Sequence, residues 1–214
     1  MNRLKHYYHR LLCHSLHRSV ILFSIFVVYT HVAIARQPAD SIKFFAADHP
    51  SIQYTGRIDF ANPKLPRFWQ PGVYITAKFE GDFCEIILND EMLWGTSHNY
   101  IEVVVDGNPI RLQTKAKCDT IQVAQNLSSG IHTVSVYKNT EANIGYLELV
   151  GIRCKKLIKP DEKPVRKIEF IGNSITCGAG SDQSTVPCGK GAWHDQHNAY
   201  LSYGAPVLDR KSVV

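Results

Sequence analysis

The sequence predicts an antiparallel all-β sandwich, of jelly-roll type, followed by the start of a second, α/β unit. Three observations predict it. Short alternating apolar stretches recur between residues 41 and 158, separated by Gly, Asn and Asp turns, and no segment there has helical periodicity. A charged connector with two prolines then interrupts the pattern. Beyond it lies a segment of different character, in which Ile168, Phe170 and Ile171 run straight into Gly172-Asn173-Ser174.

Taken in order, Val73–Phe79 alternates after Pro71-Gly72, and Cys84–Leu88 follows Gly81-Asp82 as the next strand. Tyr100–Val105 ends in Asp106-Gly107-Asn108 and resumes at Ile110–Leu112, which is a strong hairpin signal. Thr120–Val123, Ile131–Tyr137 and Tyr146–Ile152 complete the set. Residues 36–158 therefore read as the β domain, 159–166 as a linker and 167–208 as the opening fragment of the α/β domain. Trp69 and Trp94 are expected in the core of the β domain.

Residues 1–35 read as a secretory signal peptide. Arg3, Lys5, Arg10 and Arg18 precede an apolar run from Val20 to Tyr29, and Ala33-Ile34-Ala35 forms a small-x-small cleavage site. The run is too short to span a bilayer comfortably, so a secreted or periplasmic protein with no stable membrane insertion after cleavage is expected. Cleavage leaves 20 basic against 19 acidic residues, a net charge of +1, so composition gives nucleic-acid binding no support. Five cysteines remain: Cys84, Cys118, Cys154, Cys177 and Cys188. Cys177 and Cys188 bracket a loop that a bridge would stabilise by roughly 3 kcal/mol. The odd count favours free thiols instead.

Ser174 is the candidate nucleophile. A serine at the C-terminal end of a strand, where the chain turns towards a helix, exposes its hydroxyl and sets its N–H among unpaired helix-start donors. The tripeptide alone is also a common turn. Two stretches together say more. Tyr54–Phe60, Pro66–Val73 and Glu141–Glu148 form the first, and Ile168–Gly178 with Asn198–Gly204 the second. This combination resembles carbohydrate esterase family two, whose members join an N-terminal jelly roll to a catalytic domain of the SGNH (GDSL-like, flavodoxin-like) type.

The resemblance implies a serine O-acetyl esterase acting on acetylated, xylan-like polysaccharide without any cofactor. It assigns Ser174 as nucleophile and, through its backbone N–H, as an oxyanion donor. Asn173 stands where many members have Asp. The later blocks that supply a glycine N–H, an asparagine side chain and the histidine base do not occur in this sequence. About 45 residues follow the linker, against about 100–150 for a whole domain. The chain is thus read as a C-terminally truncated piece, nearly or wholly inactive by itself. Residues 209–214 are read as a non-native tail, because Asp209-Arg-Lys-Ser-Val-Val214 can be encoded by common sequencing-adapter sequence. Residues after Pro164 are expected to be poorly ordered for want of parallel neighbours.

Trp193-His194-Asp195-Gln196-His197 reads as an ordinary loop. His197 lies two residues after Asp195 rather than three, and the histidine pair has no third metal ligand in view. Trp193 is a candidate substrate-binding residue by stacking on a sugar, or else an interdomain packing residue. The alternatives to the esterase are a non-catalytic carbohydrate-binding jelly roll with a vestigial tail, or an SGNH esterase for other acyl esters.

Overall fold

Alternation of apolar and polar side chains sets the architecture. In the computed structural model, which describes residues 41–163, 165–166 and 168–204, every strand pairing is antiparallel. The strands are β1 (Lys43–Ala46), β2 (Ile52–Thr55), β3 (Arg67–Phe68), β4 (Tyr74–Asp90), β5 (Tyr100–Val105), β6 (Asn108–Gln113), β7 (Cys118–Ala124), β8 (Ile131–Lys138) and β9 (Leu147–Ile158). They form a single nine-stranded hydrogen-bonded network with the central order β1-β9-β4-β8-β5-β6. The signal-peptide segment and the 209–214 tail lie outside the described residues. Among the described residues no helix is long and apolar enough to cross a membrane.

β4 is the organising strand. Its first half, Tyr74 to Glu80, pairs with β8, and Tyr74 to Ala77 also pairs with β2. Its second half, from Cys84 onwards, lies between β7 and β9. Two strands were expected here, separated at Gly81-Asp82. Instead one strand of 17 residues runs through. Gly81-Asp82 sits in an irregularity of the β4–β9 ladder between Glu80 and Cys84, where the Gly81 N–H donates to Gly130 O (2.9 Å). A bulge of this kind lets the strand bend without ending. On either side of it the alternation persists: Ile75, Ala77, Phe79, Cys84, Ile86 and Leu88 are all buried. They meet Ile101 and Val103 of β5, Val134 and Val136 of β8, and Leu149 and Ile152 of β9 in one core. Each of the Val, Leu, Ile and Phe side chains among them contributes about 1.5–3 kcal/mol on burial.

The β5–β6 hairpin turns on two residues, since Val105 opposes Asn108. Asp106 (φ 50°) and Gly107 (φ 82°) are both left-handed, the turn whose twist matches its strands. Asp106 also accepts from His132 Nδ1 (2.6 Å) and from the Thr133 N–H (2.8 Å), tying the turn to β8. The tryptophan expectations need correction. Trp94 lies in a surface 3₁₀ turn (Leu93–Gly95) and is 81% exposed, whereas Trp69 is half-buried against Tyr146. Trp94 sits in the loop between β4 and β5, with left-handed backbone (φ 66°), rather than on a strand whose alternation would turn it inward.

No α/β part is evident among the described residues. Residues 168–171 form no strand, and the serine-bearing segment that follows is a series of turns. A lone parallel strand has no ladder partner here, so the segment satisfies its backbone otherwise. It does so partly on the β domain. Arg111 on β6, almost fully buried, donates to the backbone oxygens of Asp195 (2.6 Å) and His197 (2.9 Å) and pairs with Asp182 (3.2 Å). Tyr100 Oη donates to Asp195 Oδ1 (3.0 Å), and the Tyr200 N–H donates to Asn139 Oδ1 (3.2 Å). Residues 177–202 are therefore held by partners in the β domain that no sequence pattern announces. Earlier in the connector, Asp161 takes hydrogen bonds from Lys78 Nζ (2.5 Å) and, through its backbone oxygen, from Gln53 (2.7 Å).

Candidate active-site turn and the buried cluster beneath it

Asn173 shapes the turn that carries Ser174. Its side-chain oxygen accepts from the Ile175 N–H (3.1 Å), and its backbone oxygen accepts from the Thr176 (3.0 Å) and Cys177 (3.3 Å) N–H groups. This is the local arrangement that makes Asn favourable before a turn of helix. Ser174 itself is exposed. Its backbone oxygen accepts from the Ala179 N–H (2.9 Å) and from Cys177 Sγ (3.2 Å). Among the described residues its hydroxyl and its N–H form no hydrogen bond. Among these residues no hydrogen bond joins a base to that hydroxyl.

Directly under the turn lies a group that sequence reasoning did not assemble. Cys177 Sγ donates to Glu141 Oε1 at 3.2 Å, and His197 Nε2 stands 3.7 Å from the same oxygen. Cys177 is 3% exposed and His197 is 1% exposed. Glu141 comes from the loop after β8, in the first of the two stretches that carried the family resemblance, and Cys177 comes from the second. The two stretches meet here. The Trp193 ring packs edge-on to the His197 imidazole (centroids 4.7 Å apart) and remains half exposed. His197 is therefore a buried residue rather than an ordinary loop histidine. Its Nδ1 is buried without a hydrogen-bond partner.

Electrostatics in the cluster follow from burial. Desolvation, then the Glu141 carboxylate, push the Cys177 thiol up to about 12. Desolvation lowers His197 below the usual imidazole value against the pull of Glu141. Lys138, wholly buried on β8, is brought down to about 7 by desolvation. Its ammonium group donates to Thr140 O (2.7 Å), Thr140 Oγ1 (3.2 Å) and Glu141 O (3.1 Å), which fixes the backbone that presents Glu141. All five cysteines in the described residues are free, Cys177 buried and Cys188 exposed.

A sequence signal for this cluster was present but scattered, because Glu141 and Cys177 are 36 residues apart. One link was visible in part. Gly178 has φ +77°, and a Cβ there would stand 2.1 Å from Asn198 O, so only glycine lets the 177–179 backbone lie against 197–198.

The chain is 31% identical over 166 residues to the cellulase/esterase CelE of Acetivibrio thermocellus, a match covering 74% of this chain and 19% of that protein. It is 26% identical over 167 residues to an acetylxylan esterase/glucomannan deacetylase of Cellvibrio japonicus, covering 77% of this chain and 46% of the relative. Among solved structures, a family two carbohydrate esterase from Cellvibrio japonicus superposes with a TM-score of 0.68 at 25% identity, over 78% of this chain and 48% of that one. Another from Clostridium thermocellum, in complex with cellohexaose, superposes with a TM-score of 0.61 at 29% identity, over 72% and 46% of the two chains. The chain thus spans less than half the length of these relatives. The carbohydrate esterase 2 N-terminal profile matches residues 54–164, just over half of the sequence, and the chain belongs to that family.

Proposed function

We propose that this chain is the N-terminal part of an exported serine carbohydrate O-acetyl esterase of the acetyl xylan esterase kind, a jelly roll followed by the start of an SGNH-type hydrolase domain. The observation that carries the reading is Ser174, exposed on an Asn-capped turn with its hydroxyl and N–H unengaged, in a chain of this family. Ser174 Oγ attacks the acetyl carbonyl carbon, the sugar oxygen leaves with a proton, and water then releases acetate from the acyl-enzyme. The Ser174 N–H supplies one oxyanion donor. The substrate is an acetylated, xylan-like polysaccharide, and the chemistry at Ser174 draws on no cofactor. Trp193, half exposed beside the turn, is the candidate for stacking on a sugar ring.

The chain spans less than half the length of the relatives it matches, and the reading assigns the base that Ser174 needs to the remainder of such a protein. Losing a single oxyanion donor alone costs about 10²–10³ in rate. The test is acetate release from acetylated xylan by the longer gene product beside its Ser174→Ala variant. A loss of at least ~10³-fold is expected; equal rates in the two proteins overturn the serine-esterase reading.

A second reading, a non-catalytic carbohydrate-binding module, is favoured by Trp94, an indole standing 81% exposed on the sandwich surface. Aromatic faces of this kind stack on sugar rings. Retention of the chain by soluble xylan in affinity gels, abolished by Trp94→Ala and unaffected by Ser174→Ala, supports it.

A further inference from the structure

We propose that Glu141, Cys177 and His197 form a binding site for a divalent cation of the zinc type, which staples the Ser174 turn to the β domain. The ligand atoms of the three side chains all lie within 4.8 Å of one another. Tetrahedral ligation at about 2.0–2.3 Å places neighbouring ligand atoms roughly 3.3–3.7 Å apart. The observed separations, 3.2 Å from Sγ to Oε1 and 3.7 Å from Nε2 to Oε1, bracket that range.

The donor set selects the ion. One thiolate, one imidazole and one carboxylate suit zinc and its borderline neighbours, whereas calcium and magnesium demand oxygen ligands. Burial supports a built site. Cys177 and His197 are withdrawn from solvent, and the imidazole is not satisfied as it stands. His197 Nδ1 has no partner, and Nε2 is beyond direct hydrogen-bond reach of Glu141. A buried imidazole with so little to hold it is costly unless something else engages the ring. Glu141 retains some solvent access, with its side chain 25% exposed, which gives the ion an entry path and a water ligand in the fourth position.

The neighbouring charge does not forbid the ion. Lys138 faces the cluster, but its ammonium is engaged by Thr140 O, Thr140 Oγ1 and Glu141 O, none of them a ligand atom. Arg111 is engaged by Asp182 and by the backbone oxygens of Asp195 and His197. On binding, Cys177 gives up its thiol proton to solvent and the sulfur bonds the metal, so uptake strengthens as pH rises. The consequence is structural. One ligand comes from the loop after β8 and two come from the segment after the connector, so the ion ties both to one point three residues beyond Ser174.

The experiment uses the full chain in a Cys118→Ser/Cys188→Ser background, which removes the exposed thiols. After chelator stripping, zinc is titrated against a competing chelator, and cobalt(II) is added separately. The expected results are one zinc per chain and a thiolate-to-cobalt charge-transfer band in the near ultraviolet. Cys177→Ser should abolish the band, and Glu141→Gln, at a partly solvent-exposed position that leaves the core intact, should weaken zinc by at least ~10-fold. Circular dichroism confirms that each variant is folded. Absence of the band in the parent protein, or unchanged zinc affinity in folded Glu141→Gln, overturns the proposal.

Discussion

His132 joins the end of β8 to the β5–β6 turn, with Nδ1 2.6 Å from Asp106 and Nε2 2.8 Å from Ser128 O. The Ser128 carbonyl, then Asp106, raise the imidazole above its ordinary value. For Asp106, burial alone would raise the carboxyl. The Thr133 N–H and His132 outweigh it, and the net shift is downwards. The sign of the pH dependence follows. The histidine contributes fully below the unfolded imidazole value of about 6.5, and its contribution is lost as pH rises through the raised folded value. The aspartate contributes above about 3.9, and its contribution is lost as pH falls through the lowered folded value. Replacing His132 by Gln is expected to cost about 1–3 kcal/mol at pH 6 and less at pH 9, read from urea midpoints at both. Asp106-Gly107 was legible as a turn from its dipeptide, but its bond to His132 was not. Histidines at alternating strand positions look alike in sequence whether they face solvent or a carboxylate. The same holds for His197, whose burial depends on Trp193 and Glu141 arriving from different segments.

At the level of elements, the 177–179 and 197–198 segments approach so closely that Gly178 leaves no room for a methyl group, and the pair is bridged at Ala179 and His197. Gly178→Ala is expected to cost well over ~1–2 kcal/mol, because a clash adds to the left-handed backbone term. Gly180→Ala supplies the control. It too has positive φ (+73°), but no atom lies within 4 Å of its would-be Cβ, so it should cost only the backbone term. Amide exchange at Asn198, whose N–H donates to Gly178 O (3.1 Å), separates the two. Strand positions were readable wherever alternation ran for five or more residues, as in β5 and β8. β1, β2 and β3 are only two to four residues long and escaped for that reason. Gly81-Asp82 misled because a bulge and a turn use the same residues. Ile168–Ile171 misled for the opposite cause: the apolar pattern is there, and a paired neighbour is not.

For the whole molecule, the segment beyond the connector and the sheet supply each other's missing partners. Arg111 carries a charge that Asp182 and two tail carbonyls help to neutralise or solvate, and its guanidinium lies 4.4 Å over the Tyr100 ring. Asn139 holds Glu102 on one side (3.1 Å) and Tyr200 on the other. A chain ended after residue 163 is expected to fold, since the apolar core lies wholly within residues 47–157. It should nevertheless melt several degrees lower than the full chain, because these polar groups lose their protein partners. Equal melting temperatures would show that the docked segment contributes nothing. The Ser174 turn was legible from sequence and family likeness, whereas the docking surface was not, because it is made of single residues from β5, β6 and the loop after β8.

β4 also sets the order of events during biosynthesis. Its two halves find their neighbours as far back as Ile52 and as far forward as Ile158. Contacts that distant reward the chain only after long loops have closed, and sheets of this kind mature in milliseconds to seconds. At about 5–20 residues per second, several seconds separate the synthesis of β4 from that of β9. Throughout that interval the central strand has no complete ladder, so its apolar face stays uncovered until β9 has been made.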